Sequence, residues 1–186
     1  MGKCDVEQAR VYVTTGKRYT GGNLSGIWME PGKFLKRRDF LQACGELYAD
    51  EDNPVFLFTD WQDIPRNYIS DKQVSVNLFK MIRLITDLPD PDKIGFAIWL
   101  GKYEHNLPDI RADDILTAFR MCYQGYFGFR QKFTEYYARE ELGITRQGSP
   151  RFDFVTFNDY LFKDLFVIDS GFVFRKVEYQ SPEIHI

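Results

Sequence analysis

The chain has 186 residues, of which 44% are hydrophobic and 17% aromatic, and it carries a formal net charge of −3. Such a length can hold one large core or several small ones, and 17 Phe with 11 Tyr argue for packed structure rather than a disordered chain. The longest apolar runs, such as Ile94 to Leu100, are far too short for a membrane span, and the first residues lack the apolar stretch of a signal peptide. In chain order, Arg10 to Thr15 alternates apolar and polar and predicts a strand. Gly21 to Gly26 reads as a turn and Ile27 to Glu30 as a second strand, which makes a hairpin. A helix is predicted from about Arg38 to Tyr48, closed by Asp52-Asn53-Pro54, with a third strand over Val55 to Trp61.

From Ser70 the period changes. Val74, Leu78, Met81, Ile82 and Ile85 recur at helical spacing until residues 86–93 (TDLPDPDK) break the helix. Ile94 to Leu100 predicts a buried helix. Residues 108–128 hold another, marked by Ile110, Ile115, Phe119 and Cys122 and stopped at Gly125. Gln131 to Gly143 is a helix with a glycine C-cap, and 144–150 is a loop. Phe152 to Leu165 predicts an amphipathic helix with residues 154, 155, 157, 161 and 162 in one arc, and Gly171 to Tyr179 a closing strand. Punctuation near 66–70 and 123–129 divides the chain into an N-terminal α+β domain (1–68), a central helical domain (69–122) and a C-terminal α+β domain (123–186). The expected class is α+β. No repeat or low-complexity tract interrupts it.

Charge is sorted sharply along this chain. Residues 1–38 carry eight cations against three carboxylates, a balance of +5, and residues 39–71 carry eight carboxylates against Arg66 alone, a balance of −7. On a helical wheel Asp39, Glu46 and Asp50 fall within about 40° of one another, opposite Phe40, Ala43, Cys44, Leu47 and Tyr48. The predicted helix therefore bears a carboxylate ridge, which Glu51, Asp52, Asp60 and Asp63 extend beyond its end. A solvated face is one reading. The pattern argues against a calcium loop, because the stretch lacks D-x-D-x-D-G and its terminal glutamate. The other reading is a surface for a basic groove that ordinarily holds DNA, whose phosphates carry negative charge at comparable spacing.

The remaining constellations are weaker. KFLKRR (33–38) is a solvated turn and helix start, or a basic patch for nucleic acid; its cations oppose the helix macrodipole, and one role open to them is to neutralise the acidic ridge of a neighbouring subunit. Cys4, Cys44 and Cys122 lie far apart without C-x-x-C spacing, as expected of buried thiols in a reducing, cytoplasmic compartment. Residue 6 is Val where a myristoylation signal takes Ser or Thr. His105 and His185 have no ligand at metal spacing, the glycines form no phosphate loop, and Cys44 and Cys122 lack a nearby histidine. No cofactor, metal or catalytic residue is expected.

The segments VYV (11–13), GKRYTGGNLSGIW (16–28), FLQACGELYADEDNPVFLFTDWQDIP (40–65) and FDFVTFNDYLFKDLFVIDSGFVF (152–174) resemble the ArdA antirestriction proteins. The likeness runs from about residue 10 to 175 and rests on Tyr12, Gly26, Trp28, Phe40, Asp60, Trp61, Pro65, Leu165, Gly171, Val173 and Phe174. It implies a non-enzymatic mimic of B-form DNA that occupies the DNA-binding groove of type I restriction-modification enzymes. It also implies an elongated row of three small units, dimerised through the C-terminal part and not binding DNA itself. The phosphate surrogates would be Asp39, Glu46, Asp50, Glu51, Asp52, Asp60 and Asp63, continued by Asp109, Asp113 and Asp114 and then Glu135, Glu140, Glu141, Asp159 and Asp164. The chain departs from the family pattern in its modest net charge, in Gln62, and in Arg146 and Arg151 of the loop expected to be acidic. The alternatives are a nucleic-acid-binding accessory protein of a mobile element that uses residues 33–38, or a scaffold kept as an interaction module without antirestriction activity.

Overall fold

The computed structural model describes residues 3–103 and 111–176. The chain is mixed α+β in several small units, with two three-stranded antiparallel sheets. It divides into two compact units, Met1–Thr117 and Ala118–Ile186.

In the first unit the sheet has the order β2-β1-β3, made of β1 (Arg10–Thr15), β2 (Ile27–Met29) and β3 (Phe56–Gln62). β1 is central and antiparallel to both neighbours, with Tyr12 opposite Trp28 on one side and Asp60 on the other. A shift in register between Tyr12 and Val13 breaks the simple alternation, so Val13, Thr14 and Thr15 are all buried. The expected pairing of 10–15 with 27–30 is present, but the connection carries a short helix, α1 (Gly16–Thr20), rather than a turn alone. Gly26 is required where the chain re-enters the sheet. A Cβ there would lie 2.5 Å from the Val13 carbonyl oxygen, and the Tyr12 hydroxyl accepts the Gly26 N–H at 2.7 Å.

α2 (Arg37–Leu47) buries Phe40 and Cys44 one turn apart against the sheet, with Tyr48 buried just past its end. Phe40 meets Phe58 and Phe79 at ring-centroid distances of 6.3 and 5.6 Å, so the sheet, α2 and α3 (Val76–Thr86) share one core. α3 buries Leu78, Phe79, Met81, Ile82 and Ile85 and is capped by Ser75, whose hydroxyl accepts the Asn77 N–H. The helix breaks at residues 87–89, a shorter interruption than the expected 86–93, because Asp90 to Lys93 already form the first turn of the next helix. α4 (Asp90–Tyr103) then starts with Pro91 in its first turn, where a missing N–H costs nothing, and buries Phe96, Trp99 and Leu100. α5 (Ala112–Cys122) buries Ile115, Leu116, Phe119 and Cys122.

The second unit departs further from the sequence reading. Its sheet has the order β4-β6-β5, with β4 (Tyr123–Tyr126), β5 (Phe166–Asp169) and β6 (Phe172–Arg175), and neither β4 nor β5 was expected as a strand. Ser170 and Gly171 both have positive φ, 49° and 86°, and form the two-residue turn that joins β5 to β6. α6 (Arg130–Leu142) ends at Gly143, whose left-handed φ of 66° lets its N–H reach Arg139 O and the Ile144 N–H reach Ala138 O. The predicted helix 152–165 divides into α7 (Phe154–Tyr160) and a π-helical turn over Leu161–Leu165. Phe154 and Leu161 face inward on the 154/157/161 side, while Val155, about 100° round the helix, is exposed. Phe133 on α6 is fully buried against Leu161, Phe162, Phe166 and Val173.

Candidate functional site

The acidic segment 39–63 is carried by three kinds of support. Glu46 lies in the last turn of α2, exposed, accepting a 3.2 Å hydrogen bond from Gln42 one turn earlier. Asp39, in the first turn, is half-buried with Arg38 Nε 3.6 Å away. Asp60 projects from β3 and accepts the N–H of Trp61 at 2.8 Å. Asp63 adopts a positive φ of 56° and accepts the Asp5 N–H at 2.9 Å, which ties down the start of the chain. Asp52 is exposed in the loop between α2 and β3.

Asp50 and Glu51 depart from the predicted ridge. α2 stops at Leu47, so Asp50 belongs to the following turn and is not on the helix face with Asp39 and Glu46. Arg18 of α1 reaches across to both carboxylates. Its terminal nitrogen lies 2.8 and 3.0 Å from the two oxygens of Asp50, and its Nε is 3.0 Å from Glu51 Oε1. Glu51 also accepts from the Thr15 hydroxyl at 2.9 Å, and its side chain is only 6% exposed. A carboxylate held inward by a cation and a hydroxyl presents little charge to a partner. Glu51 is therefore an internal anchor, whereas the Asp50 side chain stays 66% exposed, and the single charge of Arg18 offsets only one of the two carboxylates.

The same Arg18 guanidinium lies over the Tyr48 ring, 4.7 Å from its centroid, and the Tyr48 hydroxyl donates to Val13 O at 2.6 Å. The Glu51 hydrogen bond, followed by Asp50, holds the Arg18 pKa above its ordinary value against the opposing effect of burial. Burial raises the Tyr48 phenol and pushes the Cys44 thiol up to about 12. Cys44 sits 3.4 Å from Met29 Sδ, and Cys4, Cys44 and Cys122 are all buried and unbridged. None has the setting of a nucleophile.

The remaining predicted carboxylates fall into paired and unpaired sets. Asp113 is bonded to Lys80 and lies 3.4 Å from Arg111; the Lys80 hydrogen bond is the main cause that holds its carboxyl below the usual range. Glu135 is paired with Arg146 and Glu140 with Arg139 at 2.7 Å. Asp114, Glu141, Asp159 and Asp164 are exposed and form no ion pair among the described residues. Asp159 and Asp164 flank a shallow depression beside the π-helical turn that also includes Arg130 and Lys163. Asp109, His105 and His185 lie outside the described residues. Among those residues no group of histidine, cysteine or carboxylate side chains could hold a metal ion, and no helix is long and apolar enough to cross a membrane.

Within the segment 39–63, this sorting leaves Glu46, Asp52 and Asp60 exposed and without an ion pair among the described residues. Arg18 is the residue that sequence reasoning missed. Its partners lie 32 and 33 residues away, so no local spacing pointed to it. On the opposite side of the charge sorting, Arg38 is 85% exposed, Lys33 pairs with Glu30 at 3.1 Å, and Arg37 Nε is buried without a hydrogen-bond partner among the described residues.

No protein-family model matches the chain, and neither curated proteins nor solved structures provide a match.

Proposed function

We propose that this protein is a non-enzymatic DNA mimic that blocks type I restriction-modification enzymes by occupying the groove of their modification core. The observation that supports this reading is the set Glu46, Asp52 and Asp60: exposed carboxylates that form no ion pair among the described residues, two of which project from regular elements. Anions fixed on a stiff frame lose little freedom on binding, and a basic groove that meets them releases its associated counterions, which favours binding most at low salt. Arg18 serves this role indirectly, because it fixes the turn after α2 to α1 and β1. In the same reading the protein acts in the cytoplasm as a homodimer through its C-terminal unit and does not itself bind DNA.

The test is a titration of the intact protein against a purified modification core, with duplex DNA as competitor, at rising salt. Binding should compete with DNA and weaken steeply as ionic strength increases. The triple variant E46K/D52K/D60K should lose most of the affinity, whereas K36A should keep it. Binding that ignores salt, or that leaves DNA in place, would refute mimicry. A second reading has residues 33–38 contacting nucleic acid directly, favoured by the 85% exposure of the Arg38 side chain. A gel shift with labelled duplex separates the two, since the mimic leaves the duplex unshifted.

A further inference from the structure

α2 carries its charges against its own dipole. Lys36 at the N-cap gives no side-chain cap and is followed by Arg37 and Arg38, with Asp39 as the one acid of the first turn. The last turn holds Glu46 and no cation. A helix favours anions at its start and cations at its end, so the main charges at both ends of α2 are placed unfavourably for the isolated chain. Among the described residues Glu46 accepts from Gln42 but pairs with no cation, and Arg38 pairs with its neighbour Asp39 at 3.6 Å.

The arrangement is complementary to itself. Arg38 and Glu46 lie four residues on either side of Gln42, and all three are on the exposed side of α2. Turned about a two-fold axis through Gln42, a second copy presents its Glu46 to Arg38 and its Arg38 to Glu46. The row 38–42–46 is an i±4 ridge, and apposing two such ridges sets a crossing angle of about −50°, the common class for packed helices. Each helix then completes the charge pattern that the other lacks at both ends.

We propose that α2 pairs with α2 of a second copy through reciprocal Arg38–Glu46 contacts about Gln42. One 11-residue helix face offers less than the roughly 1,000 Å² of a stable interface, so the association is weak, concentration-dependent and salt-sensitive. It goes beyond the proposed function and bears on it, because Glu46 within the pair is covered and unable to face a target.

Sedimentation velocity on the full chain at low salt, over rising concentration, tests the pairing. R38E and E46K should each weaken self-association by about tenfold or more, since each places like charges at both contacts. The two single variants mixed together should associate, as should the double variant R38E/E46K, because both restore opposite charges. R38E and E46K also correct the dipole mismatch, so each should hold or raise the melting temperature and a loss of association cannot come from unfolding. In parallel, Q42C should form a disulfide-linked dimer under diamide much faster than the exposed control L24C, and salt should suppress it. The proposal is overturned if the wild-type chain shows no association that salt weakens, if R38E associates as the wild type does, if the mixed variants stay apart, or if Q42C crosslinks no faster than L24C. Inhibition by R38E should be retained in each case, since Glu46, Asp52 and Asp60 are untouched; its loss would count against the DNA-mimic reading and not against the pairing.

Discussion

In the first unit the central strand β1 is fastened by polar locks, and in the second the central strand β6 is enclosed by rings. Tyr12 and Tyr48 each use a hydroxyl on backbone near or within β1, at Gly26 N and Val13 O, while Thr15 and Arg18 hold Glu51 beside it. Across the second sheet, Tyr123 lies 6.4 and 5.9 Å from Phe172 and Phe174, and Phe133 lies 4.7 Å from Phe166 and 5.0 Å from Phe127. Both sheets have three antiparallel strands and a buried middle strand. Hydrogen bonds and ion pairs specify geometry but net little energy, whereas packed aromatic area supplies stability without fixing one partner. The unit with the candidate acidic surface is the one built on fixed polar partners, and this is the unit in which the position of a charge matters.

The largest effect should come from emptying the aromatic core. Phe133 is fully buried and at ring-contact distance of Phe127, Tyr136, Tyr137, Phe162 and Phe166. Phe133→Ala should cost about 3–5 kcal/mol, read as the shift in a urea unfolding midpoint. An effect below about 1 kcal/mol would mean that the rings do not hold this unit together.

Next is the turn that closes the same sheet. Gly171 has φ of +86°, and a Cβ there would lie 2.5 Å from Tyr126 Cε2 and 3.0 Å from Gly128 Cα. Gly171→Ala combines left-handed strain with a clash against the Tyr126 ring and a tight approach to the Gly128 backbone, and should cost about 3 kcal/mol. Ser170→Gly, at the adjacent position of φ 49°, should be neutral or slightly stabilising, which separates strain from bulk in a pair of thermal melts.

On the polar side of the comparison, Tyr48→Phe keeps the ring under Arg18 and removes only the bond to Val13 O. The expected cost is about 1–2 kcal/mol, because a buried carbonyl loses a partner while packing is unchanged. Amide exchange should be faster in β1 and unchanged in β6. Equal acceleration in both sheets would contradict the separation of the two mechanisms.

The first unit was more legible in the sequence than the second, for reasons these residues make plain. Strands β1 and β3 alternate or stand between strong breakers, and Phe40 with Cys44 gives α2 its helical period. β5 was hidden because LFKDLFVID continues the helical apolar spacing of residues 154–162, and only the positive-φ pair Ser170-Gly171 marks a hairpin there. β4 was hidden because it follows α5 with no intervening loop, and Gly125 serves as an irregularity in a strand rather than a helix stop. The candidate surface was legible as composition but not as geometry. Counting carboxylates placed Asp50 and Glu51 with Glu46, yet Arg18 draws Glu51 inward and pairs with Asp50 through a tertiary contact that no wheel displays.

The smallest predicted effect contrasts two helix starts. α2 begins without a side-chain cap, whereas α7 begins at Asp153, whose Oδ1 accepts from Val155 N and Thr156 N at 3.0 Å each while Oδ2 accepts from the Thr156 hydroxyl at 2.7 Å. The Thr156 hydroxyl bond, then the Thr156 backbone N–H, holds the Asp153 carboxyl below its ordinary value. A pKa depressed by folding gives stability that is fully present above the unfolded value of about 3.9 and is lost as pH falls through the lower folded one. Asp153→Asn keeps an acceptor for the two N–H groups but cannot titrate, so its melting temperature should fall less than the wild type's as pH drops below about 4. The two proteins should differ only marginally at pH 7, where the carboxylate is charged and a cap is present in both. Parallel acid curves for the two proteins would show that the charge at this cap contributes nothing beyond its hydrogen bonds.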